Sequence, residues 1–145
     1  MAKEKPDYYD ADIVLRLYDM RREEVMRQSR NAINGQFWPK NYDEVAALLK
    51  PDHPMNAAFR QVSSFWEMVY GMAVNGIVNA EYLMESNGEG MYVYAKIAPY
   101  VEQLRKDNNS PFMYRHAEWV SKNTEGGKQL LNMFTARIQK MLGSK

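Results

Sequence analysis

The chain has 145 residues and a mass of 16.9 kDa, of which 46% are hydrophobic and 26% charged, with a formal charge of +1. Three Trp, ten Tyr and five Phe are ample material for a core, which excludes disorder as the main state, and no apolar run approaches the roughly 18 residues of a membrane span. The absence of cysteine excludes disulfides, thiol nucleophiles and cysteine metal sites, and the charged start MAKEKPDYYD has no apolar stretch behind it, so a cytoplasmic protein is expected.

Val, Ile and Thr number 10, 5 and 2 and rarely alternate with polar residues, whereas apolar residues recur at helical spacing between start and stop signals. The expected fold is therefore all-α: a bundle of about five main helices and two short ones, with antiparallel neighbours. Residues 1–9 are read as a mobile tail and 10–145 as one helical domain.

The first predicted helix covers residues 12–33, with Asp10 as its cap and Gly35 past its end. It carries two apolar stripes: Val14, Leu17, Tyr18, Val25 and Ala32, and a narrower one of Leu15, Met26 and Ile33. At about 33 Å such a helix spans the domain, so the second stripe is a candidate interface with another copy. The connector Gln36-Phe37-Trp38-Pro39 either folds onto the core or offers Phe37 and Trp38 to a partner, with the core favoured.

Residues 42–49 form a short helix begun by Asn41, with Glu44 three residues on as in a capping box, and ended by Pro51. The next helix, 56–75, is apolar around most of its circumference, leaving Arg60, Gln61, Ser64 and Asn75 wet, and so belongs at the bundle centre. Asn79 caps a helix ending near Ser86. Residues 89–106 continue with a kink at Pro99, burying Val93, Ile97, Tyr100, Val101 and Leu104. Ser110-Pro111 opens a helix that ends near Asn123, and Thr124 caps the last one, which reaches Leu142 with Gly126-Gly127 weakening its first turn.

Charge is unevenly spread. Residues 43–89 hold seven acids and two bases, while the last twenty residues carry Lys128, Arg137, Lys140 and Lys145 and no acid. The basic end suits the macrodipole of a terminal helix, or meets an acidic partner or the chain's own acidic middle. Arg16, Arg21, Arg22, Arg27 and Arg30 are interleaved with Asp19, Glu23 and Glu24, which reads as a salt-bridged face more than a nucleic-acid surface.

Chemistry-bearing patterns are sparse. A helical metal site of the Glu-x-x-His kind fails, because Lys50 and Met113 stand three residues before His53 and His116. His53 reads as an exposed turn residue and His116 as a packed one. No Gly-x-Ser-x-Gly is present, and Gly88-Glu89-Gly90 lacks the strand and Lys-Ser/Thr of a phosphate loop. No catalytic residue, cofactor or metal is expected.

Over residues 65–120, Phe65-Trp66-Glu67, Gly76-Ile77-Val78-Asn79, Tyr94 five residues before Pro99, Arg105 six after it, and Glu118 form a recognisable series. In these residues the chain resembles an uncharacterised bacterial helical family catalogued only as a domain of unknown function. It departs from that family at Ala117, where an aromatic is usual, and at Asn79, where Asp is usual. The resemblance implies an all-α fold and no established activity. Among the shared charges, the helical phases place Glu67 and Arg105 at helix edges, so they are read as a structural ion pair, with Glu118 least involved.

The leading expectation is a non-catalytic helical protein working through protein contacts, as a homodimer or with another protein. The first alternative is a small-molecule binder or enzyme whose pocket between the 56–75, 89–106 and 111–123 helices is lined by Met72, Tyr94, Tyr100 and Trp119. The second is a nucleic-acid-associated accessory.

Overall fold

The computed structural model describes residues 2–143, and among them every regular element is helical. α1 (Tyr8–Arg22) begins inside the segment read as a tail, because the Asp7 carboxylate takes the Tyr9 and Asp10 amides and caps it. Lys3 is fastened as well: its ammonium lies 2.5 Å from the Asp10 carboxylate, and its carbonyl accepts from Asn79 Nδ2.

The long first helix is in fact two. α2 (Glu24–Gln36) starts after Glu23, whose extended backbone at ψ 141° breaks the helix and whose carboxylate takes the amides of Val25 (3.1 Å) and Met26 (2.9 Å). A glutamate here fills the role that Ser, Thr or Asp usually has at a helix start. The break corrects the predicted stripe of Leu15, Met26 and Ile33. With the phase interrupted, Met26 and Ile33 turn into the core at 5% and 0% exposure, while Leu15 stays 68% exposed.

α3 (Tyr42–Leu48) has the expected Asn41 cap, and Asn56 fastens its end by donating to the Leu48 carbonyl. α4 (Asn56–Val74) is the central helix, with nine buried residues. It ends where Gly76, at φ 71°, takes the left-handed conformation that an L side chain resists, letting Ile77 and Val78 return to the Met72 carbonyl. α5 (Ala80–Ser86) is capped by the Asn79 side chain.

α6 (Glu89–Ile97) buries seven of its nine residues. Pro99 ends it in a 3-10 turn (Ala98–Tyr100), after which α7 (Val101–Asp107) follows directly. The following helix starts later than Ser110-Pro111 predicts: 111–114 form a turn, Tyr114 is left-handed at φ 57°, and α8 runs Arg115–Asn123.

α9 (Glu125–Gly143) is capped by Thr124, which takes the Gly127 amide and donates to the Val120 carbonyl. A Cβ on Gly127 would stand 2.3 Å from that carbonyl, so the glycine that weakens the helix locally is what lets α9 start against α8. α4 is flanked by α2 and α8, α9 closes the bundle against α6 and α8, and α1 leans on α2 and α5 at the edge. Glu81, in the acidic middle, takes the Glu125 and Gly126 amides at the N-terminus of α9, which are backbone groups and not the basic side chains of that helix.

Candidate functional site

The charged residues of the 65–120 series, Glu67, Arg105 and Glu118, converge on the start of α8. Helix N-termini leave amides without intrahelical partners, and a carboxylate from elsewhere can take them. Glu67 of α4 does this, accepting from Ala117 N at 2.8 Å and His116 N at 3.2 Å. The His116 ring donates from Nδ1 to the Glu67 carbonyl at 3.1 Å and lies over Gly71, so it is packed.

Arg105 does not meet Glu67, which corrects the predicted pair. Its Nε donates to the Met113 carbonyl at 2.9 Å and its Nη1 reaches Glu118 at 3.4 Å. The reason is the late start of α8. The 111–114 turn lies against α7 and presents its carbonyl to Arg105, while Glu67 is already held by α8 amides. Glu118, expected to be least involved, is the one paired, and it also meets Lys122 at 3.6 Å.

Tyr94, Trp66 and Tyr114 close the space between α4, α6 and α8. They frame a cavity of about 10 Å³ with Ser63 and Glu67, room for a single water-sized group. Burial pushes the Tyr94 phenol up to about 12; Glu118 adds to the rise and Arg105 opposes it. Burial also raises the Tyr114 phenol, with Glu67 adding to it. Among the described residues three buried donors face no acceptor: Trp66 Nε1, Arg105 Nη2 and, away from this space, Arg21 Nε. Outside, Ser63, Glu67 and Tyr114 also border a broad, shallow cleft of about 680 Å³ rimmed by Arg60, Gln61 and the 67% exposed Phe112.

Of the four predicted pocket residues only Tyr94 lines this cavity. The 3-10 turn at Pro99 carries Tyr100 off the α6 face. Met72 is about 140° from Glu67 on α4 and Trp119 about 200° from Ala117 on α8, so neither shares the inward direction.

Phe37 is corrected as an interface residue: it is 5% exposed and packs on Phe59, the rings 6.3 Å apart. Trp38 is half-buried, with its ring centre 4.0 Å from the ammonium of Lys96. His53, too, is half-buried, its Nδ1 accepting the Met55 amide.

Lys96 escaped sequence reasoning. It is 2% exposed, donates to the Ile33 and Asn34 carbonyls at the end of α2, and faces the rings of Trp38 and Tyr92. Burial pulls its amine down to about 7; the carbonyls and rings favour the charged form and work against that pull. The available signal was a lone charge inside the apolar run from Met91 to Tyr100. The arginines of the first predicted helix are largely used internally: Arg30 grips Glu89 with two bonds of 2.6 and 2.9 Å, Arg16 meets Asp12, and Arg21 reaches the Ser86 carbonyl.

Among the described residues no group of three or more His, Asp or Glu could hold a metal ion, and no helix is long and apolar enough to cross a membrane. What the fold and this site define is an all-α domain whose shared charged residues mainly tie helices together. The chain belongs to the family described as Domain of unknown function (DUF4760), which matches residues 8–124. The match reaches beyond the series at 65–120 to include α1, α2 and the connector. No curated protein and no solved structure matches the chain.

Proposed function

We propose that this protein works by contact with another protein surface, without chemistry of its own, through the outer face of α1. One observation carries the reading. α1 has 15 residues and buries only Asp10 and Leu17, while Tyr8, Leu15 and Tyr18 stand 81%, 68% and 55% exposed. Large apolar side chains gathered on one exposed helix face mark interaction sites in folded proteins. The employment of Glu67, Arg105 and Glu118 in holding α8 supports the same reading, because these groups are committed to packing. A cytoplasmic setting in a bacterium is part of the proposal, supported by the cysteine-free composition and the family resemblance.

The test is photo-cross-linking in the cell of origin, with benzoylphenylalanine at position 15 and, as control, at the exposed Lys128. Protein adducts from position 15 and none from 128 are expected. No adduct from position 15 would overturn the reading.

A second reading, small-molecule binding, is favoured by the cleft of about 680 Å³ bordered by Ser63, Glu67 and Tyr114, behind which the Trp66 indole N–H has no acceptor. A fragment screen followed by the Trp66 indole resonance tests it; a saturable shift is expected, and an unmoved resonance across the screen would remove it.

A further inference from the structure

We infer that the cleft between α4 and the 111–114 turn takes a small aromatic carboxamide, its carbonyl accepting from the Trp66 indole N–H and its own N–H meeting Glu67. That ligand class rests on the reading of the cleft as a small-molecule site.

The inner end of the site asks for an acceptor. Trp66 lines the space between α4, α6 and α8 and is 3% exposed, and among the described residues its Nε1 has no acceptor. An indole N–H can only donate, and a buried donor without a partner is costly, so an oxygen placed there recovers a bond the fold leaves unmade. The space of about 10 Å³ has room for one such group. Gly90, Val93, Ile97 and Ala117 of its wall have no polar side-chain atom. A charged oxygen would lose its hydration against them, and the neighbouring Glu67 carboxylate would repel it. The acceptor is therefore neutral.

Glu67 asks for a donor beside that acceptor. Ser63, Trp66 and Glu67 stand at i, i+3 and i+4 on α4 and so share one face. Glu67 Oε1 takes the Ala117 amide and Oε2 the His116 amide, with His116 Nδ1 a further 3.6 Å from Oε2, so Oε1 is the freer oxygen and keeps a second lone pair. A carboxamide supplies acceptor and donor from two atoms side by side, which suits partners on successive residues; a hydroxyl must serve both from one. Burial raises the Tyr94 and Tyr114 phenols, so both stay protonated and add donors without adding charge.

The outer cleft sets the body of the ligand. It holds about 680 Å³ and is bordered by Met113 and by Phe112, which is 67% exposed. A flat ring suits such a shallow wall. Arg60 lines the outer cleft and not the inner space, so a carboxylate would find its cation outside and Glu67 inside.

Benzamide is the probe, read by the indole N–H resonances of the isotope-labelled protein. Of the three Trp only Trp66 lines the site, and its signal is the one that Trp66→Phe removes. Benzamide should move it saturably with a Kd on the order of 1 mM, as suits so small a ligand, and leave Trp38 and Trp119 in place. Benzoate and benzyl alcohol should each bind about tenfold or more weakly. Trp66→Phe should weaken benzamide about tenfold, read on the His116 and Ala117 amides. Ser63→Leu, at the border shared by cleft and inner space, should abolish the shift. A Trp66 resonance unmoved by benzamide up to about 50 mM would overturn the proposal. So would benzoate or benzyl alcohol binding as tightly as benzamide, or benzamide binding undiminished in Trp66→Phe. The fragment screen separates the two failures: a saturable shift from other fragments alone would overturn the carboxamide and leave the cleft as a binding site, whereas no shift from any compound would remove both.

Discussion

α4 and α1 are helices of similar length, 19 and 15 residues, with opposite relations to the rest of the molecule. α4 has neighbours on several sides and buries Phe59, Val62, Val69 and Tyr70 almost completely. α1 is held by Leu17, Ile13 and Val14 against the core and by polar fastenings (Lys3, Asp10, Asn79, Arg21), while Tyr8, Leu15 and Tyr18 stand exposed. Burial makes a helix stable in place; exposure of the same residue types makes it a surface for something else. The difference between the two helices is thus one of work: α4 is where substitutions should unfold the protein, and on the proposed reading α1 is where they should change what it touches.

Phe59→Ala should sharpen that contrast most. The side chain is 1% exposed and meets the rings of Phe37 and Tyr114. Its removal should cost about 3–5 kcal/mol in urea unfolding, and a loss near that for an exposed α1 residue would break the comparison.

Next in size is the pH response of Lys96. Its amine is lowered by burial to about 7 against an ordinary 10.5. The unfolded chain therefore holds the proton over a window in which the folded chain releases it, and stability should rise with pH from about 7 towards 10, by an amount on the order of a few kcal/mol. Urea midpoints between pH 7 and 9.5 avoid the raised phenols of Tyr70 and Tyr114, and the rise should vanish in Lys96→Met. A rise that persists in the variant would assign it to another group.

Glu67→Ala should cost about 1–2 kcal/mol, because it strips the α8 amides of their acceptor. Double-mutant cycles in urea should show Arg105 coupled to Glu118 and not to Glu67. Coupling of Arg105 to Glu67 would contradict the arrangement at α8. Smallest is Leu15→Ala. At 68% exposure it should change stability in urea unfolding by less than about 0.5 kcal/mol.

The candidate site was only partly legible. Glu67 and Arg105 were visible as edge residues and Glu118 as the least involved charge, but which two would pair depended on the first turn of α8. Its start was misplaced because Ser110-Pro111 has the signature of a helix opening. The signal outweighed there was tertiary: Arg105 holds the Met113 carbonyl, and the chain passes through a left-handed Tyr114 before α8 begins. Tyr94 was legible as a pocket residue since it lies on the inward face of α6. Tyr100, Met72 and Trp119 were not, because a pocket needs residues of different helices to aim at one point, and helical phase within one element carries no information about that.

Local signals were read reliably where the controlling interaction is itself local. The caps at Asn41, Asn79 and Thr124, the turn at Gly76, the break at Pro99 and the encircling apolar surface of α4 all depend on atoms within a few residues, and the sequence determined them by itself. The break at Glu23 is local too, yet a glutamate cap inside a helical pattern is easily read through. Why Lys96 has the Trp38 ring and the Ile33 and Asn34 carbonyls around it, and why Glu67 is taken by the α8 amides, were decided by tertiary structure alone. Each depends on a neighbour far along the chain, and the distance of that approach is set by how whole helices pack.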